Sequence, residues 1–168
     1  MRVAVTGTPG TGKTTATDLV ETDLELVHLN ERIREEGLQA GVDEERESVV
    51  ADLDAVAESL SGTADLLVES HLAHHLDADR VVVLRCAPET IHERLLERGE
   101  APASARENAE SEALDVILSE AVSKHGRNGV YEIVTTEQTP AETAREIEAV
   151  IAGDREPSAG TVDYTDYL

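Results

Sequence analysis

A glycine-rich segment near the start of the chain offers the clearest chemistry. Residues 7–14 read Gly-Thr-Pro-Gly-Thr-Gly-Lys-Thr and match GxxxxGK[ST], the pattern of a phosphate-binding loop. Gly10 and Gly12 let successive backbone N–H groups point at phosphate oxygens, while Lys13 reaches the β- and γ-phosphates and Thr14 binds Mg²⁺. A strand pattern precedes the loop and a helix pattern follows it, which a plain glycine-rich turn does not require. The motif predicts binding of a nucleoside triphosphate with Mg²⁺.

An acid and a histidine follow a short apolar run farther along the chain. Glu69 is placed to hold Mg²⁺ through water, and His71 to orient an attacking oxygen or to bond the transferring group. A solvated strand-end acid and an ordinary loop histidine are the alternatives. His74 and His75 complete the pattern HxxHH, but no carboxylate or cysteine set accompanies it at metal-ligand spacing. A zinc site is therefore not favoured.

Three arginines follow the fourth apolar run. Arg94 and Arg98 are spaced i, i+4 on one helix face, and Arg106 lies just beyond a small, proline-interrupted segment. Arginines that close over a transferring phosphoryl group stabilise its spreading negative charge and exclude water. Pairing with neighbouring glutamates on a solvated face is the alternative.

A highly charged insertion from Asn30 to Asp52 follows the second apolar run, and it holds Arg34, Glu44, Glu45 and Arg46. In a kinase this position would receive the phosphate acceptor, and an arginine such as Arg34 would grip a monophosphate. A solvated pair of helices explains the charge pattern equally well.

The elements that must position these residues alternate between two periodicities. Short apolar runs typical of buried strands cover residues 2–6, 24–29, 66–68, 80–84 and 130–134. Helical periodicity covers residues 13–21, 31–36, 46–60, 88–98, 105–124 and 140–151. This alternation predicts one α/β domain with a parallel sheet, and a loose polar tail from Gly153 onward.

The amino-acid composition indicates the environment of the protein and excludes some functions. The 168 residues include 36 acidic and 14 basic ones, with a net charge of −22 and only two lysines, a composition similar to that of proteins from halophilic archaea. An ordinary acidic cytosolic protein is the alternative. This charge argues against non-specific binding to a phosphate backbone. The longest apolar runs are too short to cross a membrane, and the single Cys86 excludes an internal disulfide. We expect a cytoplasmic protein without a signal peptide.

The chain resembles the adenylate kinase isoenzyme 6 family in segments that occur in order. These are GTPGTGKTT, IREEGL, DEER, VVADLD, VESH, LRCAPETIHERLLERG, ENAESEAL and VTTEQTPAE, within about residues 1–151. The run ERLLERG followed closely by EN is the most discriminating. The resemblance implies an α/β P-loop NTPase with the nucleoside-monophosphate-kinase fold, a five-stranded parallel sheet with helices on both faces. Its kinase domain would span residues 1–152, with a monophosphate-binding insertion at about 30–48, a short lid at about 97–107 and a tail at 153–168.

The resemblance, with the arguments above, also implies roles for single residues. ATP would contact Gly10, Gly12, Lys13, Thr14, Thr15, Arg98, Thr136 and Pro140. Catalysis would rest on Lys13, Glu69, His71, Arg94 and Arg98. The monophosphate would contact Asn30 and Arg34, and Mg²⁺ would be held by Thr14 and, through water, by Glu69. Glu69 departs from the eukaryotic pattern, which has an aspartate there.

The function implied by the resemblance is reversible transfer of a phosphoryl group from ATP to AMP or other monophosphates, with Mg²⁺. The resemblance adds ATPase activity and a role in small ribosomal subunit biogenesis, on a pre-ribosomal particle and through a ribosomal protein of its platform. One alternative is mainly a switch ATPase of ribosome assembly with incidental kinase activity. Another is a nucleotide-binding partner without catalysis, which the presence of Lys13, Thr14 and the arginines disfavours.

Overall fold

A computed structural model describes residues 1–43 and 48–168 of the chain. Within these residues the strands are β1 Arg2–Thr6, β2 Glu25–His28, β3 Gln39–Asp43, β4 Ser48–Ala51, β5 Leu66–Glu69, β6 Arg80–Arg85 and β7 Val130–Val134. The α-helices are α1 Lys13–Thr17, α2 Leu29–Glu36, α3 Leu53–Ser59, α4 Pro88–Glu97, α5 Pro102–Ala113, α6 Val116–His125 and α7 Pro140–Ala152. No helix of this described part combines the length and apolar character needed to cross a membrane.

Five of the strands form one parallel sheet in the order β2-β5-β1-β6-β7. The central strand β1 pairs with β5 on one side and with β6 on the other, so that Val3 faces Leu67 and Arg80 in register. Continuous apolar runs are typical of strands buried on both faces. The predicted five-stranded parallel sheet is confirmed.

Helices cover both faces of this sheet. On one face, Val3 and Val5 pack with residues of α1 and α7 such as Ala16 and Ile147. On the other face, Ala4 packs in a cluster with residues of α2, α3 and α6. Side chains alternate between the two faces along β1. The sheet is therefore the middle layer of three, and the loops that follow its strands meet at one edge.

The segment predicted as a helix over residues 46–60 is a helix only over Leu53–Ser59 within the described residues. Ser48–Ala51 forms β4, which pairs antiparallel with β3, and the helix begins only after Asp52, whose side chain accepts a hydrogen bond from Ala55 N. Adjacent valines in β4 favour a strand, and an aspartate at the N-cap favours a helix start. The helix prediction is wrong over Ser48–Ala51, and its first two residues, 46 and 47, lie outside the described residues.

Two other helices are shorter than predicted. α1 ends at Thr17, whose hydroxyl donates to the carbonyls of Lys13 and Thr14, and Leu19 beyond it is half exposed. Such local bonds compete with helix continuation. The predicted helix 105–124 is broken at Asp115, which has a positive φ of 55°, and Leu114 is exposed. Aspartate tolerates this left-handed conformation, and its Oδ1 is held by Arg85 Nη2 at 2.5 Å.

The C-terminal residues pack onto the domain and are not the loose tail that was predicted. Thr161 N donates to Glu132 Oε1 at 2.9 Å, and Gly160 N donates to the same oxygen. Ser158 N donates to the Val130 carbonyl at 3.1 Å, so the tail runs beside β7. Polar residues and glycine here supply backbone donors to a buried carboxylate instead of marking disorder.

Candidate active site

The phosphate-binding loop joins β1 to α1 and lines one side of a cleft of about 740 Å³ at the carboxyl edge of the sheet. Gly10 and Gly12 have φ values of 93° and 91°, which side-chain-bearing residues rarely adopt. These conformations curl the backbone around the cleft. The structure brings Lys13, Thr14 and Thr15 to the same wall, as the motif predicts for residues that meet a triphosphate.

Lys13 is the buried cation of this wall. Its side chain donates to the Thr8 carbonyl at 3.1 Å, and the residue is 8% exposed. Burial lowers the pKa of Lys13 to about 8, although the Glu69 carboxylate opposes this shift. A phosphate group would supply the negative charge that a buried ammonium needs.

Glu69 lies at the end of β5, lines the cleft and is 5% exposed. Its Oε2 lies 2.7 Å from His28 Nδ1, and His28 Nε2 lies 2.8 Å from Asp18 Oδ1. Burial alone would lower the pKa of His28, but the hydrogen bonds and charges of these two carboxylates raise it. With an acceptor on each ring nitrogen, His28 acts as a donor at both positions. Sequence reasoning missed His28 and Asp18.

His71 also lines the cleft, as predicted, in the loop after β5. Burial lowers its pKa to about 4, and the charge of Lys13 acts in the same direction. The imidazole is therefore neutral near pH 7, with one nitrogen as donor and the other as acceptor. A neutral ring can orient a water or a hydroxyl group in the cleft.

The three predicted arginines do not converge. Arg94 and Arg98 line the cleft, and Arg94 Nη1 donates to the Gly10 carbonyl at 3.0 Å, so α4 braces the phosphate-binding loop. Arg106 instead lines a separate cavity with His92 and Tyr167. Arg106 belongs to α5, whereas Arg94 belongs to α4 and Arg98 ends that helix. The prediction that Arg106 joins the set is wrong.

The acceptor side of the cleft is formed in part by α2. Asn30 lines it, and its Oδ1 accepts a hydrogen bond from Ser70 Oγ at 2.8 Å. Arg34 is exposed one turn farther along the same helix. Glu44, Glu45 and Arg46 of the charged insertion lie outside the described residues.

The opposite end of the cleft is lined by the loop after β7. Pro140 faces the cleft together with Thr135 and Gln138, which sequence reasoning did not single out. Thr136 Oγ1 accepts a hydrogen bond from Ala87 N at 2.9 Å. From the segment predicted as a lid, Glu97, Arg98 and Glu100 line the cleft.

A buried ion cluster around Arg85 contacts the phosphate-binding loop. Arg85 is fully buried at the end of β6 and bonds Glu112 Oε1, Glu132 Oε2 and Asp115 Oδ1 at 3.2, 2.8 and 2.5 Å. Glu112 Oε1 also accepts from the Thr8 hydroxyl of the phosphate-binding loop at 3.3 Å. Burial raises the pKa of Glu112, while Arg85 opposes this shift. Sequence reasoning missed this cluster.

Comparisons with known proteins show which family and fold this chain is similar to. Residues 3–115 match the family described as "AAA domain". A protein of Natronomonas pharaonis named "Putative adenylate kinase" is 69% identical over 168 residues, which are 100% of both chains. A protein of Halobacterium salinarum with the same name is 62% identical over 169 residues, again covering 100% of each chain. Shikimate kinase from Bacteroides thetaiotaomicron matches with a TM-score of 0.55 at 13% identity, over 90% of this chain and 98% of that one. This last likeness concerns the fold alone.

Proposed function

Because the chain belongs to the family of archaeal proteins that carry the name "Putative adenylate kinase", we propose that it transfers the γ-phosphate of ATP reversibly to AMP. One observation carries this proposal: Lys13 and the arginines Arg94 and Arg98 border the same cleft. Phosphoryl transfer needs positioning and charge neutralisation more than covalent chemistry, and these cations supply the charge.

The oxygen donors of the cleft suit Mg²⁺. The Thr14 hydroxyl and the Glu69 carboxylate lie on the wall that would hold the phosphates. Hard oxygen ligands are those that Mg²⁺ prefers, with water completing its shell. We propose Thr14 as a ligand and Glu69 as an acceptor for the water shell. The bound ion would neutralise phosphate charge during transfer.

Each wall has its own part in the reaction. The loop backbone and Lys13 would bind the triphosphate. Arg98 would stabilise the negative charge that spreads over the transferring phosphoryl group. Glu97, Arg98 and Glu100 of the short lid would exclude water, which otherwise competes with the acceptor. Thr136 and Pro140 would border the adenine.

We assign the acceptor to the wall formed by α2. Asn30 lines the cleft there, and Arg34 lies farther along the same helix. A guanidinium binds the phosphate of a monophosphate with two parallel hydrogen bonds, which fixes its orientation. Other nucleoside monophosphates would share this phosphate contact.

The test is the stoichiometry of ATP turnover in concentrated salt, with and without AMP. Transfer to AMP forms two ADP for each ATP consumed and releases no phosphate. Hydrolysis forms one ADP and one phosphate and does not need AMP. If AMP causes no ADP to form in excess of the phosphate released, the kinase proposal is refuted.

A second function is favoured by one observation, the position of His71 on the wall of the cleft that Lys13 also lines. A neutral imidazole can aim a water at the γ-phosphate, which is what an ATPase requires. We propose hydrolysis as this second activity and, from the resemblance alone, a role in small ribosomal subunit assembly in the cytoplasm. The partners would be a platform ribosomal protein and the pre-ribosomal particle.

The substitution His71→Ala separates the two activities. We expect ATP hydrolysis to fall roughly 10²-fold, the usual contribution of a positioned acid, base or orienting group. AMP phosphorylation should fall much less, because its acceptor is positioned by α2, and ATP binding should persist. Both rates and the ATP affinity are to be measured in one high-salt buffer. Unchanged hydrolysis would make His71 an ordinary loop histidine.

A further inference from the structure

A group of potential metal ligands lies outside the cleft, where the loop after β5 meets α6. His74 and His75 belong to a short 3₁₀ helix, Ala73–His75, and Glu120 projects from α6. His74 Nε2 and His75 Nε2 lie 2.8 and 3.7 Å from Glu120 Oε2, and all three ligand atoms lie within 4.8 Å of one another. The chain fold thus provides the carboxylate that the local HxxHH pattern lacks.

We propose that His74, His75 and Glu120 form a binding site for a divalent transition-metal cation, of which Zn²⁺ is the best match. Two imidazoles and one carboxylate are a common three-residue set for zinc, with water as the fourth ligand. Ligand atoms about 2 Å from a tetrahedral ion are about 3.3 Å apart. The observed separations bracket this value, so rotations of the two exposed side chains suffice to close the site.

The surroundings of His74 hold its ring in the orientation that a ligand needs. His74 is 1% exposed, and its Nδ1 lies 2.8 Å from the Thr6 hydroxyl at the end of β1. When Nε2 binds a metal, Nδ1 carries the proton and donates to this hydroxyl, as is usual for histidine ligands. His125 Nε2 donates to the His74 carbonyl at 2.8 Å and fixes the backbone as well.

The three proposed ligand residues differ in solvent exposure. The side chains of His75 and Glu120 are 35% and 47% exposed, so an ion can enter from solvent and keep a water ligand. The nitrogen donors favour zinc, cobalt or nickel over Mg²⁺, which prefers oxygen. The site therefore stays distinct from the magnesium chemistry proposed for the cleft.

Metal binding here would fasten two elements to each other. The 3₁₀ helix follows the loop that carries His71 into the cleft, and α6 packs against the sheet. An ion shared by both elements would tie this loop to α6 and stabilise the folded chain by mass action. The inference does not depend on the proposed kinase activity.

The test is a titration of the full chain with Zn²⁺, and with Co²⁺ for its visible absorption. The titration buffer contains excess Mg²⁺, which occupies non-specific carboxylate sites on a protein of net charge −22. It also contains concentrated sodium sulfate, which screens that charge. The variants are His75→Gln and Glu120→Gln, whose partly exposed side chains are replaceable without opening the core. The matched control is His92→Gln, which alters a histidine of the separate cavity.

We expect one ion per chain in the parent protein and in His92→Gln, with intensified Co²⁺ absorption typical of a four-coordinate site. In His75→Gln and Glu120→Gln the affinity should fall roughly 100-fold, because even outer-shell changes cost 10- to 100-fold. Zinc should raise the thermal midpoint of the parent and not of these two variants. Equal binding by all four proteins, or no binding that resists excess Mg²⁺, would overturn the proposal.

Discussion

The buried Arg85 cluster allows a prediction that links stability to the active site. We consider Arg85→Met, which keeps an unbranched side chain but removes the cation between Glu112, Glu132 and Asp115. Asp115 is one-third exposed and can regain water, but Glu112 and Glu132 are at most 4% exposed and cannot. Two carboxylates are then left buried without their counter-ion.

The expected loss in the free energy of unfolding follows from these two buried carboxylates. Breaking a buried ion pair from one side costs about 3–5 kcal/mol, because the remaining charge is uncompensated. Backbone donors soften the loss: Cys86 N bonds Glu112 at 2.9 Å, and Thr161 N bonds Glu132 at 2.9 Å. We therefore expect about 4 kcal/mol, which for a chain of this length lowers the thermal midpoint by about 10 °C.

The pH dependence of this loss has a definite sign. Burial already raises the pKa of Glu112, and Arg85 opposes that shift, so its removal raises the pKa further. An acid whose pKa is higher in the folded than in the unfolded state stabilises the fold when neutral and loses that contribution as pH rises. The cost of Arg85→Met should consequently be larger at pH 8 than at pH 6.

Urea unfolding in constant high salt measures the effect at both pH values. The matched control is Arg80→Met on the same strand, since Arg80 donates to the carbonyls of Val150 and Ile151 and leaves no buried carboxylate behind. We expect about 1–2 kcal/mol for this control, independent of pH. A loss from Arg85→Met that equals the control, or that does not change with pH, would refute the reasoning.

Three further predictions concern the cleft and the tail. Lys13→Ala should lower ATP turnover by about three orders of magnitude, since the phosphates lose their buried cation, and more than a tenth of parental turnover would contradict this role. Arg34→Ala should raise the KM for AMP far more than the KM for ATP, whereas equal effects in steady-state kinetics would make α2 purely structural. Removal of residues 154–168 should cost about 2–4 kcal/mol in urea unfolding, because Glu132 loses two N–H donors, and an unchanged midpoint would mean that the tail contributes nothing.

The sheet could be predicted from the sequence because its strands carry their own signal. Buried parallel strands read as continuous apolar runs, and the prediction for residues 2–6 coincides with β1. Helix ends were less predictable, and one of them depends on a contact with a distant part of the chain. Asp115 breaks the predicted helix where it reaches Arg85 on β6, and no periodicity within residues 105–124 records that partner.

The cleft residues likewise include some that the sequence predicts and others that it does not. Lys13 and Thr14 were predictable because a local motif fixes both the backbone shape and the side chains that it presents. Arg106 was misplaced because the sequence puts it on a separate helix without showing which side chains of that helix reach the cleft. Pairs of distant residues leave no local pattern, so Glu112 under the phosphate-binding loop was not predictable at all.

The orientation of Glu69 at the cleft is set by its neighbours. β2 and β5 are adjacent parallel strands whose register places His28 beside Glu69, and the ring reaches the carboxylate at 2.7 Å. Asp18 holds the other ring nitrogen, so His28 is fixed from both sides. A glutamate is longer and more flexible than an aspartate, and a fixed donor restricts the added rotation. Asp18, His28 and Glu69 therefore act as one unit, in which the carboxylate at the cleft is oriented before any nucleotide binds.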